Sequence, residues 1–93
     1  MIFNYTREQY DALDGLAYRI ADNSYMVERY GNTGAGQELQ ENDLTIRGLF
    51  NDLDRLAVPM WVQNAALAFG RDWRRYKSSS LAAWLESRNI YPV

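Results

Sequence analysis

Ninety-three residues with ten cations, twelve anions, no cysteine and no histidine make one domain, 1–93, with a formal net charge of −2. The composition excludes a disulfide framework and a thiol nucleophile, and it leaves a zinc ion only carboxylates as ligands. The charge is too small for a protein that imitates DNA through a dense acidic coat, and too negative for a general nucleic-acid binder.

Apolar residues make up 47% of the chain, including three Trp, seven Tyr and three Phe, enough for a core at this size. No segment approaches the ~20 apolar residues of a membrane span, and no charged start leads into an apolar signal region. The expected setting is therefore the cytoplasm. Charge is unevenly spread. Residues 1–30 carry −2 and residues 31–55 carry −3, whereas residues 71–88 carry +3. That distribution predicts a dipolar surface, acidic first and basic later.

In chain order, Met1 to Tyr5 alternates apolar residues and reads as an extended arm or short strand. Asn4-Tyr5-Thr6 matches the glycosylation triplet, which without a secretion signal reads as a chance match. Thr6 reads as an N-cap, with Gln9 three residues on completing a capping box. The helix runs to Tyr30, and Gly31 is its natural stop. Leu13, Leu16, Ala17, Ile20 and Val27 share one stripe. Gly15 and the Asn23-Ser24 pair weaken the helix, and Asn23 is where it would break.

Gly31 to Gln37 (GNTGAGQ) has phosphate-loop-like glycine spacing but lacks the Lys-Ser/Thr that completes a P-loop, so it reads as a flexible connector. A second helix starts between Gln37 and Asp43, either capped by Asn42 or Asp43 or early enough for Leu39 to join its stripe, and presents Ile46, Leu49, Phe50, Leu53, Leu56 and Ala57 as its core face. Pro59 forces Val58 out of helical geometry and suits the first turn of the next helix. That central helix, Val58 to Tyr76, places Val62, Ala65, Ala66, Phe69, Trp73 and Tyr76 within an arc of roughly 100°. Met60 and Leu67 point the other way, so its first half is expected to lie between two other elements. Gly70 costs about 1 kcal/mol against alanine in a helix interior. Close approach of a neighbouring backbone is the expected compensation. One of Ser78, Ser79 and Ser80 should cap a last short helix with Leu81, Trp84 and Leu85, ended by Asn89. Ile90 to Val93 is again extended, and the two termini could pair as a small ribbon. The expected fold is all-α, a compact bundle of about four helices with short extended terminal arms.

Three constellations bear on function. Tyr18 and Tyr25 lie one heptad apart, opposite the apolar stripe, with Asp11, Asp14 and Asp22 around them. Exposed tyrosines among carboxylates form a docking face for a basic partner; the alternative is that the helix is covered on two sides and the rings are core. Arg71, Arg74, Arg75 and Lys77 form a basic patch interleaved with Trp73 and Tyr76, suited to simple solvation and pairing with a helix C-terminus, to an acidic protein surface, or to phosphates with a stacked base. Asp52 and Asp54 beside Glu38, Glu41 and Asp43 could hold Mg²⁺ or exchange protons, but carboxylates two apart on a helix diverge, so a solvated face is the plainer reading. No nucleophile has a convincing base beside it, so no enzyme, metal or cofactor is expected.

The expectation is a non-enzymatic protein-binding protein, an inhibitor or adaptor whose partner presents a basic surface. Phage and other mobile elements encode many such small proteins that block host nucleic-acid-handling defence complexes, anti-CRISPR proteins among them. This part of the expectation comes from size class and from no motif. The alternative is a small nucleic-acid-binding regulator acting through Arg71–Lys77.

Overall fold

The computed structural model describes residues 1–34 and 36–93, without the side chains of Asn32 and Thr33. The elements are β1 (Phe3–Tyr5), α1 (Arg7–Gly34), α2 (Gly36–Arg55), α3 (Met60–Gly70), α4 (Trp73–Ser78), α5 (Leu81–Glu86) and β2 (Ile90–Pro92). The fold is all-α, with five helices and one small strand pair among the described residues.

The capping box forms as its sequence implies. Gln9 N–H donates to Thr6 Oγ1 at 3.2 Å, and Thr6 N–H donates to Gln9 Oε1 at 2.8 Å. The Gln9 side chain also donates to the Leu56 carbonyl at 2.9 Å, fastening the start of α1 to the end of α2. With Gly15 against Leu49 and Arg19 against Asn42, this contact makes α1 and α2 an antiparallel hairpin. α1 does not break at Asn23; Ser24 folds its hydroxyl back onto the Ile20 carbonyl and the helix continues. The departure from helical geometry is at Gly31, whose φ of 74° only glycine adopts without strain. The connector expected at Gly31–Gln37 includes Ala35, which lies outside the described residues.

Leu13, Leu16, Ala17, Val62, Ala66, Phe69, Leu81, Leu85 and Ile90 form the centre of the core. Gly70 is where α3 crosses α1. A Cβ at this position would meet the Ala17 carbonyl oxygen at 2.5 Å, so the helix cost of glycine is offset by the close approach. α3 ends there, at the level of Ala17 and Ile20. Further along α1, Met26 is buried instead and Val27, expected in the stripe, is 42% exposed.

α2 begins earlier than its candidate caps. Asn42 is not a cap but is buried, accepting from Arg19 at 3.1 Å and donating to Asp22 and Asn23 at 2.8 Å each. Ala57 does not extend the core face. It is exposed at φ 61°, in the position past the helix end where glycine is usual, while Val58 N–H returns to the Leu53 carbonyl at 2.9 Å. Pro59 is the N-cap of α3 rather than a residue of its first turn. Buried Gln63 donates to Asp54 and to the Val58 carbonyl, both at 2.9 Å, which locks this turn. Met60 is exposed, so the start of α3 is not covered on a second side.

The central helix expected over Val58–Tyr76 is two helices. α3 stops at Gly70, and Asp72 caps α4 by accepting the Arg74 N–H at 3.0 Å. Ser80 caps α5 in the same way, accepting from Ala83 at 3.3 Å. The termini pair as a parallel ribbon with Phe3 opposite Ile90, Asn4 opposite Tyr91 and Tyr5 opposite Pro92. Two strands alone are marginal; here Tyr5 and Ile90 are buried in the core and hold the pair down.

Candidate functional site

The break at Asp72 decides where the functional candidates lie. It swings α4 back across the face of α1 that bears Tyr18 and Tyr25. Trp73, expected in the core stripe, is only half-buried and stands edge-on to Tyr25, with ring centroids 5.2 Å apart at 83°. Tyr76 lies against Tyr18 at 6.0 Å and against Phe69 at 5.9 Å. Tyr18 remains 44% exposed, while Tyr25 is half-buried. Between the two helices runs an open groove of about 330 Å³, lined by Tyr18, Asp22, Tyr25, Trp73, Tyr76 and Lys77.

Polar tethers hold α4 in this position. The Glu28 carboxylate accepts from Trp73 Nε1 at 2.8 Å and from both terminal nitrogens of Arg74, one of them at 3.0 Å. Hydrogen bonds from Arg74, then from Trp73, hold the Glu28 carboxyl below its ordinary range. The contribution of this tether is present above the ordinary glutamate range and is lost as pH falls through the lowered value. At the other end, Tyr76 donates to Asp14 at 3.3 Å. Burial and then the Asp14 charge raise the Tyr76 pKa, so its contribution is present below the ordinary tyrosine range and lost as pH rises through the raised value.

The structure thus brings together Tyr18, Asp22 and Tyr25 from the acidic candidate face with Lys77 from the basic one. Asp14 does not line the groove but accepts from Tyr76, and Asp11 sits apart, paired with Arg7 at 3.1 Å. The other basic residues are dispersed. Arg74 is bound to Glu28, Arg75 stacks over Trp84 with its guanidinium carbon 4.7 Å from the ring centroid, and Arg71 is exposed beside Val27 and Trp73. The two faces treated separately in the sequence therefore meet at the groove, to which Lys77 contributes from the basic one. The carboxylates of α2 are also dispersed: Asp43 pairs with Arg47 and Asp52 with Arg55, both at 3.0 Å, and Asp54 accepts from Gln63. Among the described residues no three potential metal ligands converge.

Sequence reasoning missed Glu28 as the anchor of α4 and Asn42 as the buried centre joining Arg19, Asp22 and Asn23. Neither is signalled locally; what was within reach is the break before α4, because Gly70-Arg71-Asp72 reads as a helix stop followed by an N-cap. With Trp73 half-exposed, its replacement by alanine is expected to cost about 1–2 kcal/mol, below the 3–5 kcal/mol of a fully buried aromatic. A melting curve checks this; a loss as large as that of a core aromatic would mean the ring is buried.

The chain matches no protein-family model, no curated protein and no solved structure.

Proposed function

We propose that this protein works by binding another protein, without catalysis, and docks it on the α1–α4 groove. The observation that carries this reading is the aromatic row Tyr18, Tyr25, Trp73 and Tyr76, held half-exposed in an open groove by Glu28 and Asp14. Tyrosine and tryptophan are the side chains favoured as interface anchors. Rings already fixed by packing lose less freedom on binding than mobile side chains do. The adjoining carboxylates suit a partner with a basic surface. The small size and single domain fit an inhibitor or adaptor acting in the cytoplasm. They are also in keeping with the phage or mobile-element proteins that block host nucleic-acid-handling defence complexes, as anti-CRISPR proteins do.

The test is capture of the partner from the native host, followed by identification of what binds. The double change Tyr18→Ala and Tyr25→Ala is expected to cost at least about 2 kcal/mol for each anchor and to abolish capture while the helical signal persists. Arg71→Glu with Arg75→Glu should leave substantial capture, since charges at a rim mainly affect association rate and salt dependence. Arg74 is left intact because it holds Glu28. Normal capture by the tyrosine variant, with failure of the arginine variant and salt-sensitive retardation of DNA or RNA, would instead favour the nucleic-acid reading.

A further inference from the structure

Every residue of α4 stays partly or fully exposed, yet the helix covers one that is not. Ala21 lies between Tyr18 and Tyr25 on one face of α1 and is 5% exposed. It lines the groove with Trp73, Tyr76 and Lys77. Both ends of α4 are breaks: Asp72 (φ −111°, ψ 102°) and Ser79 (φ −134°, ψ 160°) are extended backbone. Open space borders the helix as well. Besides the groove, a cleft of about 370 Å³ runs past Tyr25, Glu28, Arg29, Trp73 and Arg74. The core closes without α4. Trp84 Nε1 donates to the Ala65 carbonyl at 2.8 Å, and Phe69, Leu81 and Leu85 belong to one buried cluster, so α3 and α5 hold each other directly.

We propose that α4 is a strap that lifts off α1 as a unit while the other helices stay folded, with Glu28 as its latch. Segments with little buried apolar surface open at a lower free energy than the whole fold. One carboxylate fastens the first turn of α4, since Glu28 accepts from both Trp73 and Arg74. The rest of the helix leans on Tyr76, bonded to Asp14, and on Arg75 over Trp84. A helix of six residues does not persist in water by itself, so lifting also frees its backbone amides. Trp73, Tyr76 and Lys77 are one wall of the groove, and opening removes that wall. A partner seated there holds the strap shut; this consequence rests on the docking reading above, whereas the opening belongs to the chain alone.

A single thiol beneath the strap reports its opening, because the chain has no cysteine of its own. In the intact protein, Ala21→Cys is expected to react with a maleimide at least about tenfold faster than Ala65→Cys, whose site is buried on α3. Adding Glu28→Gln should speed the reaction at position 21 about two- to fivefold. Adding Ile46→Val, a change in the core on α2, should speed position 65 about two- to tenfold and leave position 21 unchanged. The inference is overturned if positions 21 and 65 react at one rate and both follow Ile46→Val, or if Glu28→Gln leaves position 21 unchanged. If Ala21→Cys reacts as fast as Leu44→Cys at an exposed position, the new thiol has itself lifted the strap, and hydrogen exchange of the unsubstituted chain decides. The Tyr76 and Ser79 amides, bonded to the Asp72 and Arg75 carbonyls, should then be protected at least about tenfold less than those of Phe69 and Leu85, and equal protection overturns the strap. Partner capture separates the two levels. If the two positions open together while capture still depends on Tyr18 and Tyr25, the strap falls and the docking reading stands. If position 21 opens separately and capture is indifferent to the tyrosines, the docking reading falls and the strap stands.

Discussion

Replacing Phe69 by alanine is expected to lower stability by about 3–5 kcal/mol. Phe69 is the largest side chain that is fully buried, and its ring packs against Tyr76 and Trp84 with both centroids 5.9 Å away. It therefore supports α3, α4 and α5 together, and the cavity left behind is bordered by two rings that cannot collapse into it without moving their helices. A domain of this size has roughly 5–15 kcal/mol in total, so the loss approaches the lower bound of the whole. Denaturant unfolding measures it directly. A midpoint shift worth less than about 1 kcal/mol would mean that Phe69 does not join the three helices.

The second large effect has a sign that simple propensity gets wrong. Glycine to alanine in a helix interior ordinarily gains up to about 1 kcal/mol. At Gly70 the new methyl would lie 2.5 Å from the Ala17 carbonyl oxygen and 3.0 Å from the Ala17 Cα, both backbone atoms of a packed helix. Neither atom can turn aside as a side chain would, so α3 has to move off α1. Overpacking of this kind typically costs 1–3 kcal/mol, and the net effect of Gly70→Ala is expected to be a loss of about that size. Gly48, with nothing within 4 Å of its would-be Cβ, is the contrasting position. Gly48→Ala should raise the melting temperature, whereas Gly70→Ala lowers it. Equal rises at both positions would show that the two helices do not cross at Gly70.

The elements legible in the sequence are those fixed by local chemistry. The Thr6–Gln9 capping box, the stop at Gly31, the turn before Pro59 and the serine cap of α5 each depend on a few adjacent residues, and each forms. The close approach at Gly70 was readable because a glycine in an apolar helix has few other justifications. Trp73 leaves the stripe because angular periodicity holds only along an unbroken helix. Asp72 ends that continuity, and every angle after it refers to a new axis. Asn42 was misread because a short polar residue near a helix start resembles a cap. Its burial depends on Asp22 and Asn23, about twenty positions away on a different helix. The groove was half legible. Both of its walls were recognised as candidate faces, yet nothing local says that they meet, because the meeting is set by the turn of α4 and by Glu28.

Site-directed photo-crosslinking shows whether partners dock on the α1–α4 groove. A photoreactive phenylalanine analogue is placed at Tyr18 in the groove and, separately, at the exposed positions Leu44 on α2 and Arg88 after α5. Irradiation in extracts of the native host is predicted to give one discrete adduct from position 18, suppressed by excess unlabelled protein, and none from positions 44 and 88. A discrete, competed adduct from position 44 or 88, with none from position 18, would contradict the claim and move the working surface to another face of the molecule.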